Sequence, residues 1–274
     1  QITAPDGTPA SKLDIGTMQF GGNADAQDRR GMYDAARGAG ITFFDTAHVY
    51  TGGHSETLLG DFVKSERDGL ILATKVGYTG GASAHNMTAQ FDVSRRRLQL
   101  DVVDVLYVHR FDPDTDLNDT MRGFADLKAA GGFRYLGLSN FAAWQVMKAQ
   151  AIGTQFDLTV DILQPMYSLV KRQAEVEILP MCESEGIAVT PYSPLGGGLL
   201  TGNYTQGGTG RLSEDARYGV RYGLDYMASA SAGLMACAQR EELHPATLAV
   251  AWAAAHRAAP IPIISARNAE QLAP

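Results

Sequence analysis

Cysteine is scarce: Cys182 and Cys237 are the only two in 274 residues. They lie far apart and form no CxxC pair, which excludes a disulfide framework and the usual zinc spacings. Both read as buried or idle thiols, and a chain without disulfides suits a reducing, cytoplasmic setting. No apolar run reaches the roughly 18 residues that cross a bilayer. Basic excess is lacking too. The 23 Lys and Arg face 30 Asp and Glu, a formal charge of −7, so neither nucleic acid nor an anionic membrane is expected as a partner. A local patch still leaves room for an anionic cofactor. No GxGxxG follows a candidate strand and no GxSxG occurs, so neither a Rossmann site nor a serine-hydrolase elbow is indicated. Low-complexity linkers are absent as well. The chain opens on Gln1 rather than Met, which leaves open a segment upstream.

What is present is ordinary globular composition, 45% hydrophobic and 19% charged, arranged with a rhythm. Apolar runs at 13–18, 41–45, 70–75, 103–109, 135–139, 160–164, 187–191 and 261–264 read as eight strands. Most are continuous rather than alternating, as in parallel strands buried on both faces. Helical stretches separate them. Asp25 suits the cap of a helix with Met32, Ala35, Ala36 and Ala39 on its apolar face, stopped by Gly40. Residues 117–130 form another, ended by Gly131 and Gly132, and 175–185 a third, ended by Gly186, with Pro180 awkward inside it. Eight such units predict a single domain over residues 1–274, a (β/α)8 TIM barrel. Ahead of it, Asp6-Gly7 between residues 1–3 and 8–10 predicts an N-terminal β-hairpin covering one barrel end. The Gly-rich stretch 196–221 is a lid candidate.

A polar residue follows nearly every run. Asp45, Lys75, His109, Asn140, Gln164 and Tyr192 succeed one another at 30, 34, 31, 24 and 28 residues, each about one β/α unit. In a parallel barrel the strand C-termini share one mouth, where barrel enzymes place their chemistry. Singly, each has a structural explanation: Asn140, for example, could cap the helix containing Trp144. Jointly, six residues at one structural level point to a site.

Asp45, Lys75 and His109, with Tyr50 five residues past Asp45, make a chemically sensible set. A free phenol has a pKa of about 10. A lysine cation beside it stabilises the phenolate and lowers that value, and Asp45 supplies the buried lysine's counter-ion. His109 can donate a hydrogen bond to a carbonyl oxygen, which Tyr50 then protonates as a hydride reaches the carbon. One His and one Asp are too few ligands for a metal, so none is expected. Schiff-base chemistry at Lys75, as in an aldolase or lyase, is the rival, and it needs a lysine that loses its proton.

The sequence resembles the aldo-keto reductase superfamily from about Leu13 to Gln271. The motifs are Gly16-Thr17-Met18 with Phe20-Gly21, Phe44-Asp45-Thr46-Ala47 with Tyr50, Ala73-Thr74-Lys75, Leu106-Tyr107-Val108-His109, Gly137-Leu138-Ser139-Asn140-Phe141, Gln164-Pro165-Met166-Tyr167-Ser168 and Tyr192-Ser193-Pro194-Leu195. Their order and one-unit spacing match the family. The resemblance implies a catalytic tetrad of Tyr50, Asp45, Lys75 and His109, an NADPH/NADP+ cofactor and a small-molecule carbonyl substrate.

It further implies that Gly16, Thr17, Met18 and Asp45 line the cofactor site. Ser139, Asn140 and Gln164 would hold the carboxamide, with Tyr192 stacked on the nicotinamide. Ser193, Leu195 and Gly197 would touch the pyrophosphate. Ser265, Arg267 and Gln271 would surround the adenosine end, with Arg267 on the 2′-phosphate and Asn268 capping a short helix. Where the family usually has Gly, this chain has Ser265. More chain usually follows the eighth strand in the family, a last helix and a C-terminal loop. Phe20, His48, Arg110, Phe111 and Phe141 are candidates for the substrate wall. Some relatives, the potassium-channel β subunits, sense NADPH while attached to a partner, which keeps a regulatory alternative open.

Overall fold

The computed structural model describes residues 1–22, 26–204 and 208–274. It contains the eight predicted strands: β1 (Asp14–Gly16), β2 (Phe43–Asp45), β3 (Ile71–Val76), β4 (Val103–Val108), β5 (Phe133–Ser139), β6 (Val160–Gln164), β7 (Ala188–Val189) and β8 (Ile263–Ile264). All pairings are parallel, in the order β7-β6-β5-β4-β3-β2-β1-β8. The seam between β7 and β8 closes through two backbone bonds. Ile261 N–H donates to the Val189 carbonyl at 2.8 Å and Ile263 N–H to that of Pro191 at 2.9 Å. The fold is a (β/α)8 barrel, and every strand ends at the same rim.

Strand alternation sorts the side chains. Phe44, Leu72, Leu106, Leu136 and Leu163 point outward into the main core with the helices. Phe43, Ile71, Ala73, Val105, Tyr107 and Ile162 fill the barrel interior. The next inward positions, two residues on, are Asp45, Lys75, His109 and Gln164. The polar rim is thus the continuation of an apolar inner stripe. Tyr107 fits inside because β5 has Gly137 opposite it, where a Cβ would lie 2.3 Å from the Tyr107 ring.

The hairpin also forms, with Thr3 bridged antiparallel to Pro9. Ile2 and Ala4 plug the barrel end away from the polar rim. Buried Asp104 ties that end together, taking Arg67 and Arg134 at 2.7 Å each, while Arg134 also donates to the Thr3 carbonyl at 2.6 Å.

Outside the barrel lie α1 (Ala26–Gly38), α2 (His54–Val63), α3 (Ala84–Leu98), α4 (Leu117–Ala129), α5 (Ala143–Gly153) and α6 (Ile178–Glu185). They are followed by α7 (Arg211–Glu214), α8 (Ala216–Tyr222), α9 (Asp225–Arg240), α10 (Pro245–Ala254) and α11 (Ala269–Leu272). Three expectations need correction. The third predicted helix starts at Ile178, not 175, so Pro180 falls in the first turn, where a missing N–H costs no intrahelical bond. In α1 the buried face is Met32, Tyr33 and Ala36, with Ala35 and Ala39 exposed. The stretch 196–221 is not irregular throughout: it contains a 3-10 turn, Gly196–Thr201, then α7 and most of α8. The predicted cap Asp25 lies outside the described residues.

Gly137→Ala should destabilise the barrel by about 1–3 kcal/mol through overpacking against Tyr107. Urea unfolding of both proteins checks this.

Candidate active site

The rim residues converge. Lys75 is fully buried, and its ammonium donates to Asp45 Oδ1, to the Thr46 carbonyl at 2.8 Å and to the Tyr50 hydroxyl at 3.4 Å. The other carboxylate oxygen of Asp45 accepts from Gln164 Nε2 at 2.9 Å. The Tyr50 and His109 rings meet edge to face, 5.8 Å between centroids. Four side chains, from β2, β3, the residue just past β4 and the turn after β2, therefore meet at one place.

The placement of Tyr50 follows from its turn. Past β2 the chain stays paired to β3, with His48 N–H donating to the Lys75 carbonyl at 3.0 Å. It then enters a tight turn, Tyr50–Gly53, in which Thr51, Gly52 and Gly53 all have positive φ. Thr51 bears this strain as a non-glycine residue, and its hydroxyl is anchored on the Phe20 carbonyl at 2.7 Å.

Burial dominates the proton affinities. It alone would lower Lys75, yet Asp45 and Tyr50 outweigh it and hold the ammonium above its ordinary range. Burial raises the Tyr50 phenol, and the Lys75 cation only partly offsets this. The expectation of a net lowering by lysine is therefore corrected: the cation pulls downward, but desolvation of the phenolate is the larger effect. His109 is pushed down to about 3 by burial, with Lys75 and Arg110 adding repulsion. It is a neutral imidazole at physiological pH, and its Nδ1 has no hydrogen-bond partner among the described residues.

A cavity of about 1530 Å3 opens over these groups. Its wall includes Asp45, Tyr50 and His109, the predicted cofactor residues Gly16, Met18, Ser139, Asn140, Gln164, Tyr192, Ser193, Leu195 and Gly197, and then Ser265, Arg267 and Gln271. That volume exceeds the ~300–1,000 Å3 typical of a single-ligand pocket, and the cleft is open to solvent along its length. Gly196, Gly197 and Gly198 all have positive φ, and a Cβ on Gly197 would lie 2.8 Å from the Tyr218 ring. The bare Cα thus lets the Tyr218 and Tyr222 rings pack directly on this left-handed backbone at the cavity wall. Asn140, itself left-handed at φ 57°, links three rim elements. Its amide donates to the His109 carbonyl at 2.9 Å and to Ser139 Oγ at 3.1 Å, and its oxygen accepts from Tyr192 at 2.7 Å. It is not the cap of α5, which begins after Ala142. Asn268 does cap α11, accepting from Gln271 N–H at 2.9 Å.

Several expected residues lie elsewhere. Thr17 is fully buried and bonds the Asp45 carbonyl at 2.9 Å and Ser55 at 2.8 Å, so its side chain braces β2 rather than facing the cavity. Of the five candidates for the substrate wall, Arg110 lines the cavity. Phe20 and Phe141 are core residues, Phe111 packs edge to face on Phe141, and His48 faces Ser94 and Arg97 behind the site. An aromatic that lines the cavity in their place is Tyr78, its ring tilted against that of His109 at 4.8 Å and carrying Arg110 at 4.7 Å. Its signal was an aromatic three residues past Lys75. Asp14 was also missed, although a carboxylate inside an apolar run was a visible anomaly. It is fully buried, neither of its oxygens finds a partner among the described residues, and burial and then Asp45 raise it well above the carboxylate range.

The chain is 30% identical over 91% of its length to a probable voltage-gated potassium channel subunit beta of Arabidopsis thaliana, covering 81% of that protein. It is 31% identical over 97% of its length to the uncharacterized oxidoreductase YrpG of Bacillus subtilis, covering 86% of it. Norsolorinic acid reductase A of Aspergillus parasiticus is 35% identical over 72% of the chain, which covers 57% of that enzyme. The aldo/keto reductase family pattern matches residues 12–274, and the chain belongs to that family.

Proposed function

We infer that this chain, acting as one domain, is an NADPH-dependent oxidoreductase that reduces an aldehyde or ketone to an alcohol, reversibly, with Tyr50 as proton donor. The observation that carries the reading is the Tyr50 hydroxyl 3.4 Å from a buried, charge-paired Lys75 at the floor of an open cavity. When bound, a nicotinamide supplies the hydride. Ser139, Asn140 and Gln164 would hold its carboxamide end, Tyr192 its ring, Gly197 its phosphates and Arg267 the 2′-phosphate. Met18, Ser193, Leu195, Ser265 and Gln271 would complete the wall.

The protein's own part is to hold and move one proton. A raised phenol pKa keeps Tyr50 protonated at neutral pH, ready to donate to the substrate oxygen. Lys75 then faces the phenolate that donation leaves. Neutral His109 orients the same oxygen by a hydrogen bond without competing as an acid. Asp45 keeps Lys75 charged, and a lysine so held opposes the Schiff-base alternative. The likeness to channel β subunits favours a second reading, a nucleotide-sensing subunit with the same site. Turnover separates the two. Two free cysteines support a cytoplasmic placement.

Three outcomes are expected. Tyr50→Phe should bind NADPH but lose aldehyde reduction by about 10²–10⁴-fold, read as cofactor absorbance with a carbonyl panel; full turnover would refute the mechanism. With His109 near 3 and Tyr50 above its ordinary value, the rate of reduction should be flat from about pH 6 to 9, while alcohol oxidation, which needs the phenolate, rises with pH over that window. Paired kcat/KM profiles check the sign. Arg267→Met should weaken NADPH binding by about 10–100-fold, the loss of a charged hydrogen bond, and leave NADH binding within about twofold, as measured by fluorescence titration.

A further inference from the structure

Behind the tetrad, on the side away from the cavity, lies a second charged group that the proposed chemistry does not touch. Glu56 of α2 is completely buried. One of its oxygens accepts from Thr74 Oγ1 at 2.7 Å and the other from Arg97 Nη1 of α3 at 3.1 Å. The same guanidinium nitrogen donates to the His48 carbonyl at 2.9 Å. Thr74 directly precedes Lys75 on β3, and His48 stands two residues before Tyr50.

The guanidinium also rests on the end of the Tyr50 turn: a Cβ on Gly53 would lie 2.2 Å from Arg97 Cζ. Gly53 is left-handed at φ 97° and opens α2, the helix that carries Glu56. One ion pair therefore grips the strand bearing Lys75, the entry to the turn bearing Tyr50, and its exit. Across that grip the Tyr50–Lys75 contact is long, at 3.4 Å, and a displacement of about 1 Å in a reacting group can cost on the order of 10²-fold in rate.

We propose that Glu56 and Arg97 are positioning residues that set the distance between the Tyr50 hydroxyl and the Lys75 ammonium. A buried carboxylate is costly unless it is paired and bonded. This one is placed so that satisfying it requires the turn, β3 and α3 to be in register at once. The other titratable group facing the pair is His48, lowered by burial, with Glu56 raising it and Arg97 lowering it.

The inference rests on the reading of Tyr50 as proton donor, so Tyr50→Phe is measured alongside. Arg97→Met, Arg97→Lys and Glu56→Gln are compared using an aromatic aldehyde and NADPH, with kcat, KM, NADPH Kd, the melting curve and the Tyr50 13Cζ resonance of the free protein as readouts. Glu56→Gln keeps the shape and an acceptor, so it serves if Arg97→Met does not fold. Arg97→Met should lower kcat by about 10–100-fold, shift the Tyr50 resonance, and leave KM and Kd within about threefold. Arg97→Lys, which can still reach the His48 carbonyl, should restore most of kcat. Glu56→Gln should show the same pattern, more weakly. Folded Arg97→Met or Glu56→Gln with wild-type kcat and an unmoved resonance, beside an inactive Tyr50→Phe, overturns the proposal. So does failure of Arg97→Lys to restore kcat. An active Tyr50→Phe instead overturns the reading of the site beneath it.

Discussion

The site is organised around one buried ion pair, Lys75 with Asp45. An ammonium inside a barrel is tolerable only with a counter-charge and further partners. Lys75 has both, in Asp45, the Thr46 carbonyl and Tyr50. Asp45 in turn is held by Gln164 from the far side of the barrel. Removing either charge would leave the other unpaired in a dry interior, typically a loss of 3–5 kcal/mol. The pair therefore links stability of the upper barrel to the chemistry proposed there, and it places a fixed positive charge beside the phenol.

The barrel makes that pair possible by stacking layers. Below the rim the interior is packed with Phe43, Ile71, Val105 and Tyr107, which exclude water and sharpen every charge above them. The plug of Ile2 and Ala4 closes the lower end, so the interior opens in one direction. Asp14 shows how strongly desolvation governs the region: its proton affinity is raised first by burial and then by Asp45, with Lys75 opposing.

Much of this was legible from residue order. Eight apolar runs at one-unit spacing, six of them followed by a polar residue, are enough to place Asp45, Lys75, His109, Asn140, Gln164 and Tyr192 at one level, because parallel strands share a direction. What failed were judgements about side-chain facing in loops. Phe20, Phe111 and Phe141 are aromatics near the rim in sequence, yet they turn outward into the core, since alternation and helix packing decide their direction. Tyr78 faces inward for the same reason. Thr17 sits in the expected motif but points the other way, into a hydroxyl cluster with Ser55 and Thr46.

Periodicity and motif order by themselves determined the fold class, the eight strands, the common rim and the identity of the polar set, because these follow from local alternation and from chain direction. Tertiary structure alone decided the proton affinities and the support. The shift of Tyr50 depends on how much water is displaced around it, and the pairing of Glu56 with Arg97 joins residues 41 positions apart. Neither leaves a periodic trace, since both arise from three-dimensional packing of separate elements rather than from spacing along the chain.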